Sequence, residues 1–208
     1  MKSNYSFTAK IYDPIFYLAL KPIRIAVMNE LLKYKEKVIL DLCCGTGNQL
    51  NLLSKHGFRN LYCLDISDSM LEIAKRDNFP IKIYNEDATK TSFDNALFDV
   101  VIISFAIHEK DRNTQQALIN EAYRIIKKDG FMLVVDYIFD NETAKFGRIL
   151  ISIIERIAGR EHYINFKSYI QNKGLLSLIK KDKFELIKYN RMLFRTVTIS
   201  IYQKIPLF

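Results

Sequence analysis

The sequence predicts a doubly wound α/β fold, on three observations. Short apolar strands alternate with helical segments over residues 37–138, a glycine turn joins the first strand to the first helix, and the strands are apolar on both faces. Residues 37–42 (KVILDL) form the first strand, and residues 48–56 the first helix, with Leu50, Leu52 and Leu53 as its apolar positions. Residues 60–66 (NLYCLDI) form the second strand, after which Ser67 is placed to cap a helix carrying Met70, Ile73 and Ala74. Residues 80–84 are the third strand. The fourth, residues 98–104 (FDVVIIS), is nearly all apolar and β-branched, as a strand covered on both sides must be. An amphipathic helix follows, with Leu118, Ile119, Ala122, Ile125 and Ile126 on one face and its end marked by Lys127, Lys128 and Gly130. Residues 131–136 (FMLVVD) complete the βα series as a fifth strand.

Two regions fall outside that rhythm. Residues 1–36 are expected to be a helical cover, kinked or divided at Pro22. Residues 143–181 are expected to be a helical insertion after the fifth strand. Phe146, Ile149, Leu150, Ile153, Ile154 and Ile157 form its first apolar stripe, with Lys145, Arg148, Arg156 and Arg160 largely off it. Two last strands, near residues 184–189 and 193–203, are joined by a turn so short that they must pair antiparallel. The expectation is one domain, residues 1–208. It comprises a core at 37–138, a helical lid at 143–181 and final antiparallel strands at 184–203, seven strands in all.

Composition removes other classes. With 208 residues, 49% hydrophobic and only 7 Gly and 4 Pro, the chain is neither disordered, collagenous nor low in complexity. No apolar run approaches the ~18 residues of a membrane span, and the first residues lack the apolar stretch of a secretory signal. Cys43, Cys44 and Cys63 are odd in number and two are adjacent, so neither a metal site nor a disulfide framework is expected. A cytoplasmic location is the corresponding expectation. The net charge of +8 is compatible with nucleic acid or an anionic membrane surface and requires neither.

The most informative segment is the run from Asp41 to Asn48, D-L-C-C-G-T-G-N. Glycines at such a turn let the backbone approach a ligand and adopt dihedrals closed to residues with a Cβ. The helix beyond it presents free N–H groups. Asp65 ends the second strand 18 residues after Gly47, about where a carboxylate takes hydrogen bonds from both ribose hydroxyls in a nucleotide-binding α/β fold. Asp87 follows the third strand, placed to read an adenine. A dinucleotide is the competitor, but its G-x-G-x-x-G fingerprint lacks the third glycine here. Asp41, just before the glycines, repels a pyrophosphate and welcomes an ammonium. The residues therefore favour a zwitterionic, adenosine-containing ligand.

These segments resemble the class I S-adenosylmethionine-dependent methyltransferases over residues 37–138, and loosely over the last two strands. Asp41 to Gly47 is similar to the family's first motif, Leu64 to Leu71 to the second and Asn85 to Ala88 to the third. Phe98 to Val101 with Ser104 to His108 is similar to the fourth, and Glu121 to Asp136 to the helix and strand that follow it. The likeness leans towards the ubiquinone- and menaquinone-biosynthesis type, which act on small molecules. Cys43 stands where many members have glycine, and Asp129 replaces a common proline.

The resemblance implies a Rossmann-like fold with S-adenosylmethionine as cofactor and S-adenosylhomocysteine as product. Asp41, Cys43 and the backbone of Gly45 to Gly47 would hold the methionine end. Asp65 would bind ribose, Ile66 and Met70 would pack beside the adenosine, Asp87 and Ala88 would read adenine, and Ser104 and Phe105 would lie near the sulfonium.

Methyl transfer is an in-line displacement from a donor that carries its own activation, so the protein chiefly supplies position and a dry cavity. His108, after the fourth strand, is the candidate catalytic base. His162 and Tyr163 belong to the insertion and are candidates for substrate contact or packing. The N-terminal aromatics Tyr5, Tyr12, Phe16 and Tyr17 could cover the donor. The expected reaction is methyl transfer to a small apolar or aromatic molecule. An RNA or protein methyltransferase and a non-catalytic S-adenosylmethionine-binding regulator are the alternatives. No nucleic-acid module is visible, and the insertion's basic flank is the candidate for peripheral membrane contact.

Overall fold

The strands of the N-terminal part pair in parallel. The computed structural model describes residues 20–77 and 80–206. The chain divides into two compact units, Met1–Glu86 and Asp87–Phe208, so the boundary falls just after the third strand.

In the first unit residues 20–31 are helical (α1), running through Pro22, and Ile23, Val27 and Leu31 are buried at helical spacing. Any kink before residue 20, and the aromatics Tyr5, Tyr12, Phe16 and Tyr17, lie outside the described residues. There follow β1 (Ile39–Leu42), α2 (Asn48–Lys55), β2 (Leu61–Asp65), α3 (Asp68–Ala74) and β3 (Ile81–Asn85). The order is β3-β2-β1, parallel throughout, with Asp41 beside Cys63 and Asp65 beside Asn85. Leu40, Leu42, Leu61 and Leu64 are buried between helices and sheet.

The cysteines correct the sequence expectation: Cys44 and Cys63 are joined by a disulfide, with Cα atoms 5.6 Å apart. An odd count with an adjacent pair says nothing about which strands become neighbours. The β1–β2 register sets Cys63 opposite Asp41, and the turn brings Cys44 back over it.

The second unit holds β4 (Phe98–Ser104), α4 (Arg112–Ile125), β5 (Ile126–Tyr137), α5 (Lys145–Ala158), α6 (Arg160–Gln171), α7 (Leu175–Leu178), β6 (Phe184–Met192) and β7 (Val197–Lys204). Its order is β4-β5-β7-β6. β4 and β5 are parallel, and β7 runs antiparallel to both β5 and β6. The insertion and the antiparallel last strand are those expected from sequence. Asp111 starts α4 by accepting N–H bonds from Asn113 and Thr114.

Two boundaries differ: β6 runs on to Met192 and β7 starts only at Val197, so residues 193–196 form the turn rather than the start of the last strand, and the end of α4 moves. Ile126 and the Lys127–Gly130 segment belong to β5 rather than to the end of α4: Ile126 pairs with Phe98, and the register then shifts so that Phe131 pairs with Val100. Gly130 lies so close to Asp99 that a Cβ would stand 2.7 Å from its carbonyl oxygen. That close approach, rather than a helix C-cap, is what the glycine serves.

Candidate functional site

In the first unit the glycine turn is built by backbone bonds onto β2. The N–H groups of Cys43 and Cys44 both donate to the Leu64 carbonyl, at 2.9 and 3.0 Å, and Gly47 N–H donates to Cys44 O at 3.0 Å. Cys43 is left-handed at φ 70° and occupies the conformation a glycine would take there. Gly45 and Gly47 are left-handed too, and a Cβ on Gly47 would stand 3.0 Å from the Ala74 side chain. The turn therefore keeps its shape despite the cysteine, and α2 begins directly behind it with its amide groups forward.

Asp65 ties the turn to the second strand. One carboxylate oxygen accepts from Gly45 N–H at 2.8 Å and the other from Ser67 N–H at 2.9 Å. A carboxylate has about four acceptor positions, so capacity for two further hydroxyl donors remains. Ser67 occupies the α3 N-cap without the expected side-chain cap; its hydroxyl pairs instead with that of Ser69, at 3.0 Å. The Met70 N–H that a side-chain cap would take is bonded to the Ser67 carbonyl, at 3.1 Å. Ile66 is exposed and Met70 half-buried beside this strand end.

Asp41 is the strained group. It is 2% exposed, and its Oδ1 has no hydrogen-bond partner among the described residues. Burial first, then the neighbouring Asp65 charge, pushes its carboxyl up to about 7 against a smaller pull from Arg24. A buried carboxylate with one oxygen lacking a hydrogen-bond donor, behind a glycine turn, is suited to a cationic group. The ammonium of S-adenosylmethionine fits that requirement, and the forward amides of α2 suit its carboxylate.

In the second unit Asp87 is exposed, its Oδ1 accepting from Thr89 N–H and hydroxyl at 2.8 and 2.7 Å, and Ala88 is buried. Ser104 ends β4. Phe105 follows at φ 54°, its N–H bonded to Val135 O at 2.8 Å. A bulky residue held left-handed at the end of a strand stores strain, as functional loops often do.

His108 follows β4 in a setting of carboxylates. It is buried, with Nδ1 2.7 Å from Asp136 Oδ1 and Nε2 3.5 Å from Glu155 Oε2. Burial alone would lower its pKa, but the two carboxylates more than reverse this and push it up to about 10. Both ring nitrogens face carboxylates, which favours the charged form of the ring. The Asp136 carboxylate also accepts the N–H groups of Ile107, His108 and Tyr137, at 3.2, 3.3 and 2.7 Å.

The insertion completes the cluster. His162 of α6 lies 3.1 Å from Glu109 and 3.7 Å from Glu155, and Asn165 donates to Glu109 O at 2.8 Å. The segment after β4 is thus latched to α5 and α6. Asp136 and Glu155 were not among the sequence candidates. Glu155 is the one acid in α5, among its basic and apolar residues, and that was the available signal for it.

Beyond this latch, α6, α7 and the β5–β7–β6 strands enclose a cavity of about 460 Å³. Phe139, Leu175, Leu186 and Tyr202 make it mainly apolar, and Thr198 and Ser200 contribute hydroxyls. It also reaches Tyr137, whose ring lies 4.6 Å from that of His108 and 5.5 Å from that of Phe105. Among the described residues no group of His, Cys, Asp and Glu is placed to hold a metal ion.

Comparison with known proteins agrees with this geometry. Residues 39–130 match the family described as methyltransferase domain. The chain is 31% identical over 189 residues to a demethylmenaquinone methyltransferase of Leptospira interrogans, covering 80% of this chain and 74% of that one. In structure it resembles a protein of Pyrococcus horikoshii (TM-score 0.66, 18% identity, 91% of each chain covered). It also resembles the 1,6-didemethyltoxoflavin-N1-methyltransferase of Burkholderia thailandensis, solved with S-adenosylhomocysteine bound (TM-score 0.65, 12% identity, 98% and 86% covered). With the turn, the acids and the strand order already in place, the chain belongs to the class I S-adenosylmethionine-dependent methyltransferases and is an enzyme that uses S-adenosylmethionine as its methyl donor.

Proposed function

We propose that the enzyme methylates a small apolar or aromatic molecule held in the cavity beneath the insertion, residues 143–181. The observation that carries this reading is the cavity itself. Its volume of about 460 Å³ and mainly apolar wall suit a ring-containing molecule. It lies against one face of the β5–β7–β6 strands, from Tyr137 and Thr198 along to Tyr202, with α6 and α7 beside it. The likeness to a demethylmenaquinone methyltransferase supports an acceptor of this kind.

In this reading Asp41 receives the donor's ammonium, the turn from Cys43 to Gly47 its carboxylate, and Asp65 its ribose, with Ile66 and Met70 alongside. Asp87, Ala88, Ser104 and Phe105 keep the adenine and sulfonium roles that the resemblance gives them. The bound donor supplies a methyl group already activated on a cationic sulfur. The chain's own residues position the reactants and exclude water, and positioning alone is worth ~7–11 kcal/mol of barrier. His108, held as an imidazolium by Asp136 and Glu155, acts as a positioning residue for the segment after β4.

A methyl-transfer screen with labelled donor over quinol, phenol, lipid and RNA pools tests the acceptor class. Label is expected in the quinol or phenol pool, and label in RNA or protein alone would overturn the reading. Filling the cavity with Ser200→Phe is expected to raise the acceptor KM by roughly tenfold or more. Donor affinity stays unchanged in that variant.

A further inference from the structure

Helix α5 is amphipathic in the inverted sense. Its buried face carries Gly147, Ile151 and Glu155. Gly147 sits so close to the chain that a Cβ would meet Thr196 at 2.7 Å and Phe194 at 2.8 Å, and Glu155 is engaged with His108. Residues 146, 149, 150, 153 and 157 share the opposite side, in a stripe roughly 100° wide. Phe146 is 64% exposed, Ile149 61%, Ile153 51% and Ile157 76%. Ile164 on α6 and Phe194, whose ring packs on that of Phe146, are exposed as well. A helix whose apolar stripe were meant only for this chain's core would bury it. Here a glycine and a latched carboxylate turn it outwards.

The charge around the stripe selects its partner. Lys145 and Arg156 lie along its Ile149 edge by helical spacing, and Arg160 and Lys167 are exposed on α6. The acids of the two helices are Glu155, which is buried, and Glu161. A cationic rim around an apolar stripe is repelled by a copy of itself in a two-fold dimer and attracted by an anionic layer over hydrocarbon. Among the described residues no helix is long and apolar enough to cross a membrane. Contact of this kind therefore lies on the surface.

We propose that α5 docks the enzyme on an anionic lipid surface, with Phe146, Ile149, Leu150, Ile153 and Ile157 entering the headgroup boundary and Lys145 and Arg156 pairing with lipid phosphates. The inference stands on the α5 face and goes beyond the acceptor reading.

Flotation of the full chain with vesicles tests it. The protein is expected to float with phosphatidylcholine–phosphatidylglycerol vesicles and to remain behind with phosphatidylcholine alone. Ile153→Glu combined with Ile157→Glu lowers partitioning by roughly tenfold or more, and Lys145→Gln lowers it roughly fivefold on anionic vesicles. Donor affinity by calorimetry stays unchanged in all of them, which separates this test from failure of the donor site. Absence of wild-type flotation on anionic vesicles overturns the proposal. So does a wild-type dimer in analytical ultracentrifugation that the double variant dissociates, because the stripe is then a self-interface.

Discussion

Asp65 accepts the backbone N–H of Gly45 at 2.8 Å across 20 residues of chain. The carboxylate proposed for the ribose thus also shapes the turn that receives the methionine end. Asp65→Ala removes the acceptor from both Gly45 and Ser67 and is expected to lower donor affinity by ~1–3 kcal/mol. Calorimetric titration with S-adenosylmethionine and S-adenosylhomocysteine measures this; affinity equal to wild type would contradict the ribose assignment.

Donor binding is expected to release a proton at mildly acidic pH. The Asp41 carboxyl stands at about 7, raised chiefly by burial, and an ammonium beside it stabilises the ionised form. Affinity therefore rises with pH up to about 7 and levels off above it. Titration at pH below 7 in two buffers of different ionisation enthalpy gives the proton count. Asp41→Asn abolishes the release, and an unchanged count would remove Asp41 from the site.

The latch has its own pH signature. His108 and His162 stand at about 10 and about 9, above their ordinary 6.5, so their stabilisation is complete below about 6.5 and is lost as pH rises through those values. Glu109 and Glu155 are both lowered to about 2 although burial opposes it, because the histidines, joined by Lys110 at Glu109, more than offset that burial. Their stabilisation is complete above 4.5 and lost as pH falls through about 2. Thermal unfolding followed across pH is expected to show both losses. Glu155→Gln, which leaves His108 facing a neutral group, costs about 3 kcal/mol and weakens the acid limb. An unaltered acid limb in that variant would mean that the latch is not ionic.

Closing the 19-residue span between Cys44 and Cys63 is worth about 3 kcal/mol in the chain-entropy account. Reductant is expected to lower the wild-type melting temperature and to leave the Cys44→Ser, Cys63→Ser double variant unmoved. A wild-type curve indifferent to reductant would show that the bridge does not form.

Much of the fold was legible because each strand and helix carries its own period. Residues 98–104 read as a both-sides-buried strand and are β4 to the residue. A short turn between the last two strands requires antiparallel pairing; the turn falls at residues 193–196 rather than 190–192, and β7 has an antiparallel partner on each side. The end of α4 was misjudged because Lys127 to Gly130 look like a helix terminus locally, whereas the register with β4 decides otherwise. The Cys44–Cys63 bridge was missed for the same kind of reason: strand register, not cysteine count, brings the two together.

By itself the sequence determined the alternation of strands and helices, the glycine turn with Asp41 and Asp65, and from them the methyltransferase family. Those signals are local, written in spacing and in backbone freedom. Only the tertiary structure decided that Cys44 meets Cys63, that buried His108 is set between Asp136 and Glu155, and that the apolar stripe of α5 faces outwards. Each of these depends on which side of an element meets another. Periodicity can show that a helix has an apolar side, but the partners packed on its other side decide where that side points.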